Sequence, residues 1–169
     1  MKEEPQLKEN MTTKNDNMST MEMKEKITNV LNSLVQINND RIEGYGHAAK
    51  ETEDADLKGL FNVMAAKSQL MKSQLIKEVL KFEGQPTEST TTSGKVFRVW
   101  MDFKAVLTGK NRNAILSSCE FGEDAAQDTY ADAIKDSSEL PSDIVRLIIK
   151  QKEQLHEDHN RVKTLRDIQ

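Results

Sequence analysis

Two pairs of long segments with apolar residues every three to four positions, separated by a Gly-, Pro- and Thr-rich connection, confine this chain to few folds. In the first segment, Glu22 to about Glu53, the residues Ile27, Leu31, Leu34, Ile42, Tyr45 and Ala49 share one helical face. Gly44 and Gly46 weaken that helix near Tyr45 by roughly 1 kcal/mol each, so a bend or a close helix contact is expected there. After the hinge Glu53-Asp54-Ala55-Asp56, whose Asp54 or Asp56 suits a cap, a second stripe carries Leu57, Leu60, Phe61, Met64, Ser68, Met71, Leu75, Val79 and Phe82. It stops at Gly84, which suits a left-handed C-terminal position, with Pro86 beyond. Each helix comes to about 28 to 32 residues, or roughly 40 to 50 Å.

The connection from Gln85 to Lys110 is too long for a tight turn. Its first part reads as loop and its second as a short amphipathic helix, with Val96, Trp100, Phe103 and Leu107 on one face, expected to lie across the bundle. The third helix, about Asn111 to Asp136, presents Ile115, Cys119, Gly122, Ala126, Tyr130 and Ala133. The fourth starts at Pro141 and presents Ile144, Ile148, Gln151, Leu155, His159 and Val162. Two helix pairs joined by such a connection predict an all-α, ferritin-like four-helix bundle with a long crossover containing a short helix. It is expected over residues 21–169, with residues 1–20 a disordered tail because they are nearly free of large apolar groups.

Composition narrows the function classes. A net charge of -4 on 169 residues, with 31% charged residues of both signs interspersed, offers no basic field for nucleic acid. The single Cys119 forms no internal disulfide, which suits the cytoplasm. No signal-peptide core and no run of 18 apolar residues is present, so a membrane span is not expected.

Several segments resemble a known family: Asp40-Arg41-Ile42-Glu43-Gly44-Tyr45, Leu57 to Phe61, Trp100-Met101-Asp102-Phe103-Lys104, Leu107-Thr108-Gly109, and Cys119-Glu120-Phe121-Gly122-Glu123-Asp124. They are similar to a bacterial family of ferritin-like four-helix-bundle proteins classed as a domain of unknown function. The similarity runs from about Ile27 to Asp167. It implies the fold and a bacterial cytoplasmic setting, and no activity or catalytic residue.

Bundles of this kind often hold two metal ions, with a Glu from two helices and Glu-x-x-His from the other two. Here Glu43, Glu120 or Glu123 and the run Glu153-Gln154-Leu155-His156 are available, but the second helix has no histidine. At about 100° per residue Glu153 points opposite Leu155, and His156 falls on the flank of the stripe. Glu120, Glu123, Glu153, His156 and His159 are therefore weak candidate ligands. No cofactor is expected, with iron or manganese as the alternative.

The polar residues on core stripes form another set: Asn38, Arg41, Ser68, Glu123 and His159. Counted from the hinge end, Arg41, Ser68, Glu123 and His159 lie within roughly one helical turn of each other in height. Three readings stay open: a buried network of Arg41, Glu123 and His159; a snorkelling Arg41 with Glu123 at the stripe edge; and a functional ion site. His47 is expected on the surface; Cys119, Met64, Met71, Tyr45 and Tyr130 are expected in the core. The leading functional expectation is a non-enzymatic, stress-associated or structural bundle acting as a homo-oligomer or with a protein partner. The alternatives are a metal-dependent oxidoreductase or iron-handling protein, and a binder of small molecules beneath Trp100.

Overall fold

A computed structural model describes residues 5–91, 111–135 and 137–168, with side chains from residue 19 onward. Among the described residues there are four α-helices: α1 (Pro5–Glu51), α2 (Ala55–Lys81), α3 (Arg112–Lys135) and α4 (Ser142–Asp167). A 3-10 turn, Ser137–Glu139, joins α3 to α4. No strand occurs among the described residues, and no described helix is long and apolar enough to cross a membrane. The expected helix over Val96–Leu107, with Trp100, lies outside the described residues.

Side-chain pairs fix the directions of the helices. Asn38 meets Tyr130 and Tyr45 meets Glu123, so α1 and α3 run antiparallel. Lys67 meets Asp158 and Gln74 meets Gln151, so α2 and α4 do too. With the short hinge between α1 and α2, the order is up, down, down, up. α1 packs on α2 and α3, and α4 packs on α3 and α2. Asp54 occupies the N-cap position of α2 without making a side-chain cap bond. The expected capping role gives way to an ion pair, because Arg112 at the start of α3 donates to Asp54 at 2.9 Å and to both oxygens of Asp56 at 3.0 and 2.8 Å. That pins the start of α3 to the hinge end, although α2 finishes at the opposite end.

The described first part of the connection, residues 85–91, runs along α1 from Asn32 to Asp40. Asn32 donates to the Gln85 carbonyl at 2.9 Å and accepts from the Thr87 amide at 3.0 Å. Gln36 donates to the Ser89 hydroxyl and Asn39 to the Ser89 carbonyl. Asp40 accepts from the Thr91 amide at 3.0 Å and from its hydroxyl. Side-chain amides and a carboxylate thus supply the partners that extended backbone without a neighbouring strand otherwise lacks.

At the far end, α2 closes on a Schellman arrangement: the Gly84 amide donates to the Val79 carbonyl and the Glu83 amide to the Leu80 carbonyl, each at 3.0 Å. The left-handed residue is Glu83, with φ 61°, one position before the glycine expected there. Gly84 is required for space instead: a Cβ on it would stand 2.4 Å from Thr28 Cγ2.

Helical backbone in α1 extends back to Pro5, beyond the expected start at Glu22. Ser19 to Met23 are exposed, and Ile27 is the first side chain on α1 packed into the core. Lysine, glutamate, glutamine and methionine favour helix without burial, so helical backbone and the exposure of Ser19 to Met23 coexist. α1 also runs unbroken through Gly44 and Gly46, and a Cβ at Gly46 would meet nothing within 4 Å.

The core has two halves. One joins residues 27–37 of α1, 71–79 of α2 and 126–133 of α3 to Leu140, Ile144, Ile148 and Leu155. The other, nearer the hinge, joins Tyr45, Ala48 and Ala49 to Leu57–Met64 of α2, Ile115–Cys119 of α3 and Val162. Between them lies a polar layer.

Candidate functional site

The layer takes one residue from each helix. Arg41 projects from α1 into the bundle and donates to Glu123 Oε1 of α3 through Nε at 3.1 Å and Nη2 at 2.8 Å. Nη1 donates to the Ser68 hydroxyl of α2 at 2.9 Å, and Nη2 reaches Asp158 Oδ2 of α4 at 3.3 Å. Ser68 donates its own hydroxyl to the Met64 carbonyl one turn back, which leaves its lone pairs for the guanidinium. The arginine and the glutamate are almost sealed from water, at 3% and 1% exposure of their side chains. A guanidinium suits this place because its donors radiate in a plane and reach several helices at once.

Asp158 needs a second cation. Lys67, partly exposed on α2, donates to its other oxygen, Oδ1, at 2.6 Å. Arg41 and Lys67 thus formally balance Glu123 and Asp158. Tyr45, one turn along from Arg41, donates its hydroxyl to the same Glu123 Oε1. The Arg41 Cζ also lies 5.7 Å from the centre of the Tyr45 ring, within cation–π range. Three donors converge on Oε1, while Glu123 Oε2 is buried without a hydrogen-bond partner among the described residues.

Below it runs a neutral relay. Asn38 donates to the Tyr130 hydroxyl at 2.8 Å, Tyr130 donates to Gln151 Oε1 at 2.7 Å, and Gln151 donates to Gln74 and to the Met71 carbonyl. All four helices meet again here.

The electrostatics follow from burial and neighbours. Burial works against the charge of Arg41, yet Glu123, with Tyr45 and Asp158, holds its pKa above the ordinary arginine value. Burial, then the nearby Glu123 charge, pushes the Tyr45 phenol and the Cys119 thiol well up. Tyr130 is pushed up to about 12, again mainly by burial. These groups are held in their neutral forms.

His159, expected in the network, is not in it. It stands half-buried between α3 and α4, with Nε2 3.0 Å from Asp124 and 3.9 Å from Glu120. Its neighbour Asp158 faces Arg41 instead, because one residue on a helix is a turn of about 100°. The signal was present: Ile144, Ile148, Gln151, Leu155, Asp158 and Val162 repeat at alternating intervals of four and three. Lys67 gave no such signal, since it reaches Asp158 from the flank of α2.

Of the weak metal candidates only Glu120 and His159 approach each other, at 3.9 Å, and each has another partner. Glu120 pairs with Arg166; Glu153 is exposed; and His156 lies 3.2 Å from Gln127. No group of three or more His, Cys, Asp or Glu able to hold a metal ion occurs among the described residues. The central residues do not fit a di-metal centre: a guanidinium occupies the level of Glu123, and α2 contributes a serine there. The arrangement can bind four helices at a fixed register, with Arg41, Ser68, Tyr45 and Asp158 engaged and one carboxylate oxygen, Glu123 Oε2, left over.

Residues 26–136 match a family model described as Domain of unknown function. No curated protein matches the chain. The matched span holds Arg41, Tyr45, Lys67, Ser68 and Glu123 and ends before α4. Since it covers well over half of the sequence, the chain belongs to the family described as Domain of unknown function (DUF2383).

Proposed function

We propose that this chain is a non-enzymatic, ferritin-like bundle that acts through association, with copies of itself or with a protein partner. The observation that carries this reading is the Arg41 layer, in which Arg41, Ser68, Glu123 and Asp158 are committed to one another across all four helices. A reaction centre keeps polar groups available for substrate; here all of them but Glu123 Oε2 are spent on fixing helix register, the best-attested use of buried polar groups. The up-down-down-up order with one long connection supports the ferritin-like description.

Elemental analysis of protein purified without chelators, run beside light scattering, tests the reading. The expected result is metal far below one ion per chain and a mass above that of one chain. Iron or manganese approaching the two ions per chain of a di-metal bundle would overturn it.

A further inference from the structure

We infer that Met18, Met21 and Met23 form a binding site for copper(I) on the part of α1 that precedes the core. This site is independent of the association reading above. The methionines divide by environment: Met64 and Met71 are 1% and 2% exposed in the core, whereas Met21 and Met23 are 71% and 51% exposed. Ile27 is the first α1 side chain packed into the core, so neither exposed methionine holds the fold.

The choice of residue points to sulfur. Ahead of Ile27 the apolar side chains are Pro5, Leu7 and methionines, with no Ala, Val, Ile, Phe, Tyr, Trp, Cys or His. Leucine favours helix as well as methionine does, so helix formation does not select methionine. Packing does not select it at Met21 and Met23 either, since both lie in water. What methionine has and leucine lacks is a polarisable thioether on a flexible stem. Soft sulfur ligands of this kind select copper(I), while magnesium, calcium and manganese go to carboxylates, carbonyls and water.

The run Met18-Ser19-Thr20-Met21-Glu22-Met23 brings three thioethers within six residues. On helical backbone, positions 18 and 21 share a face, with Cβ atoms about 5 to 6 Å apart. Position 23 lies about 200° round the helix from position 21. The helix thus offers two donors to one side, and the third joins when the turn from Ser19 to Met23 opens. Those residues are exposed, so opening the turn uncovers no core. Lys24 and Lys26, just beyond Met23, are paired with Glu83 and Glu139, which reduces their repulsion of a cation. Copper(I) is oxidised in air, so protein purified in air without added copper comes empty and the elemental test above is unaffected.

Anaerobic titration of the full chain with copper(I), supplied as its acetonitrile complex and read against a coloured copper(I) chelator, tests the site. A single ion per chain is expected, unchanged in a still helical Cys119→Ala. Leucine replacements keep volume, apolarity and helix propensity while removing sulfur. Met18→Leu, Met21→Leu and Met23→Leu should each weaken binding by about tenfold or more, as loss even of a group supporting a metal ligand does. The triple variant should bind none. Thioethers have no proton to lose, so affinity should be flat between about pH 5 and about pH 8, where imidazole and thiol ligands are not. Copper(I) left with acetonitrile by the wild type, or binding retained in the triple variant, would overturn the site. So would loss of the ion in a helical Cys119→Ala, or affinity that rises with pH, since these place it on the thiol or on His156 and His159.

Discussion

Arg41 Nη2 lies 2.8 Å from Glu123 Oε1, between the two halves of the core, with both side chains almost out of contact with water. Charges this deep are sustained by each other. Arg41→Met or Glu123→Leu alone should cost about 3 to 5 kcal/mol, because each strands the other charge. The double replacement should cost much less than the sum, with a coupling well above about 0.5 kcal/mol in a denaturation cycle. Small additive effects would show that both groups reach solvent.

Asp158 and His159 are neighbours in sequence with opposite environments, one facing Arg41 and the other the surface pair with Asp124. Asp158→Ala should cost about 3 kcal/mol or more, since it leaves Arg41 with an unbalanced partner set. His159→Ala should cost between about 0 and 1 kcal/mol, as for exposed ion pairs. The reverse ranking in urea unfolding would put the histidine, not the aspartate, in the network.

What the sequence revealed here depended on periodicity. The stripes located α2, α3 and α4, and the inward direction of Arg41, Ser68 and Glu123, because helix phase follows from spacing alone. Phase errors accumulate along a helix, so Asp158 and His159 were exchanged by one position near the C-terminus of a 26-residue element. The ladder from Asn32 to Asp40 was illegible for another reason: it serves an irregular segment whose path no repeat encodes. The tyrosine–glutamine relay required knowing that α3 and α4 sit at one height.

At the end of α2 the roles of two adjacent residues are separable. Gly84→Ala should destabilise by about 1 to 3 kcal/mol, because the added methyl meets the stiff, β-branched Thr28 at 2.4 Å. Glu83→Gly should be neutral or stabilising by up to about 1 kcal/mol, relieving a left-handed non-glycine residue while losing an exposed bridge to Lys24. Thermal unfolding of the two variants decides it; a harmless Gly84→Ala is incompatible with the close Thr28 approach.

The N-terminal segment tests whether helical backbone there is coupled to the bundle. Ser19 to Met23 are exposed, and core packing of α1 starts at Ile27. Deleting residues 1–20 is therefore expected to leave the thermal midpoint almost unchanged. A drop of more than a few degrees, roughly 1 kcal/mol or more for a domain of this size, would mean that the segment docks.

Alkaline pH probes the neutral groups around the central layer. Tyr45 and Tyr130 are the only two tyrosines, and burial raises both, Tyr130 from 10.0 to about 12. A raised phenol favours the folded state while both states are protonated, so this stability is fully present below pH 10. In the unfolded chain the phenols ionise near pH 10, whereas in the fold they do not, and unfolding then releases protons. Stability should fall as pH rises from about 10 to about 12, with Tyr130 contributing about 2 to 3 kcal/mol of the loss. The Cys119 thiol, raised likewise from 9.0, starts the decline about one pH unit earlier. Phenolate absorbance should thus appear together with the loss of helical dichroism. Phenolate forming near pH 10 in a chain that is still helical would mean that water reaches the hydroxyls of Tyr45 and Tyr130, and that the polar layer is open.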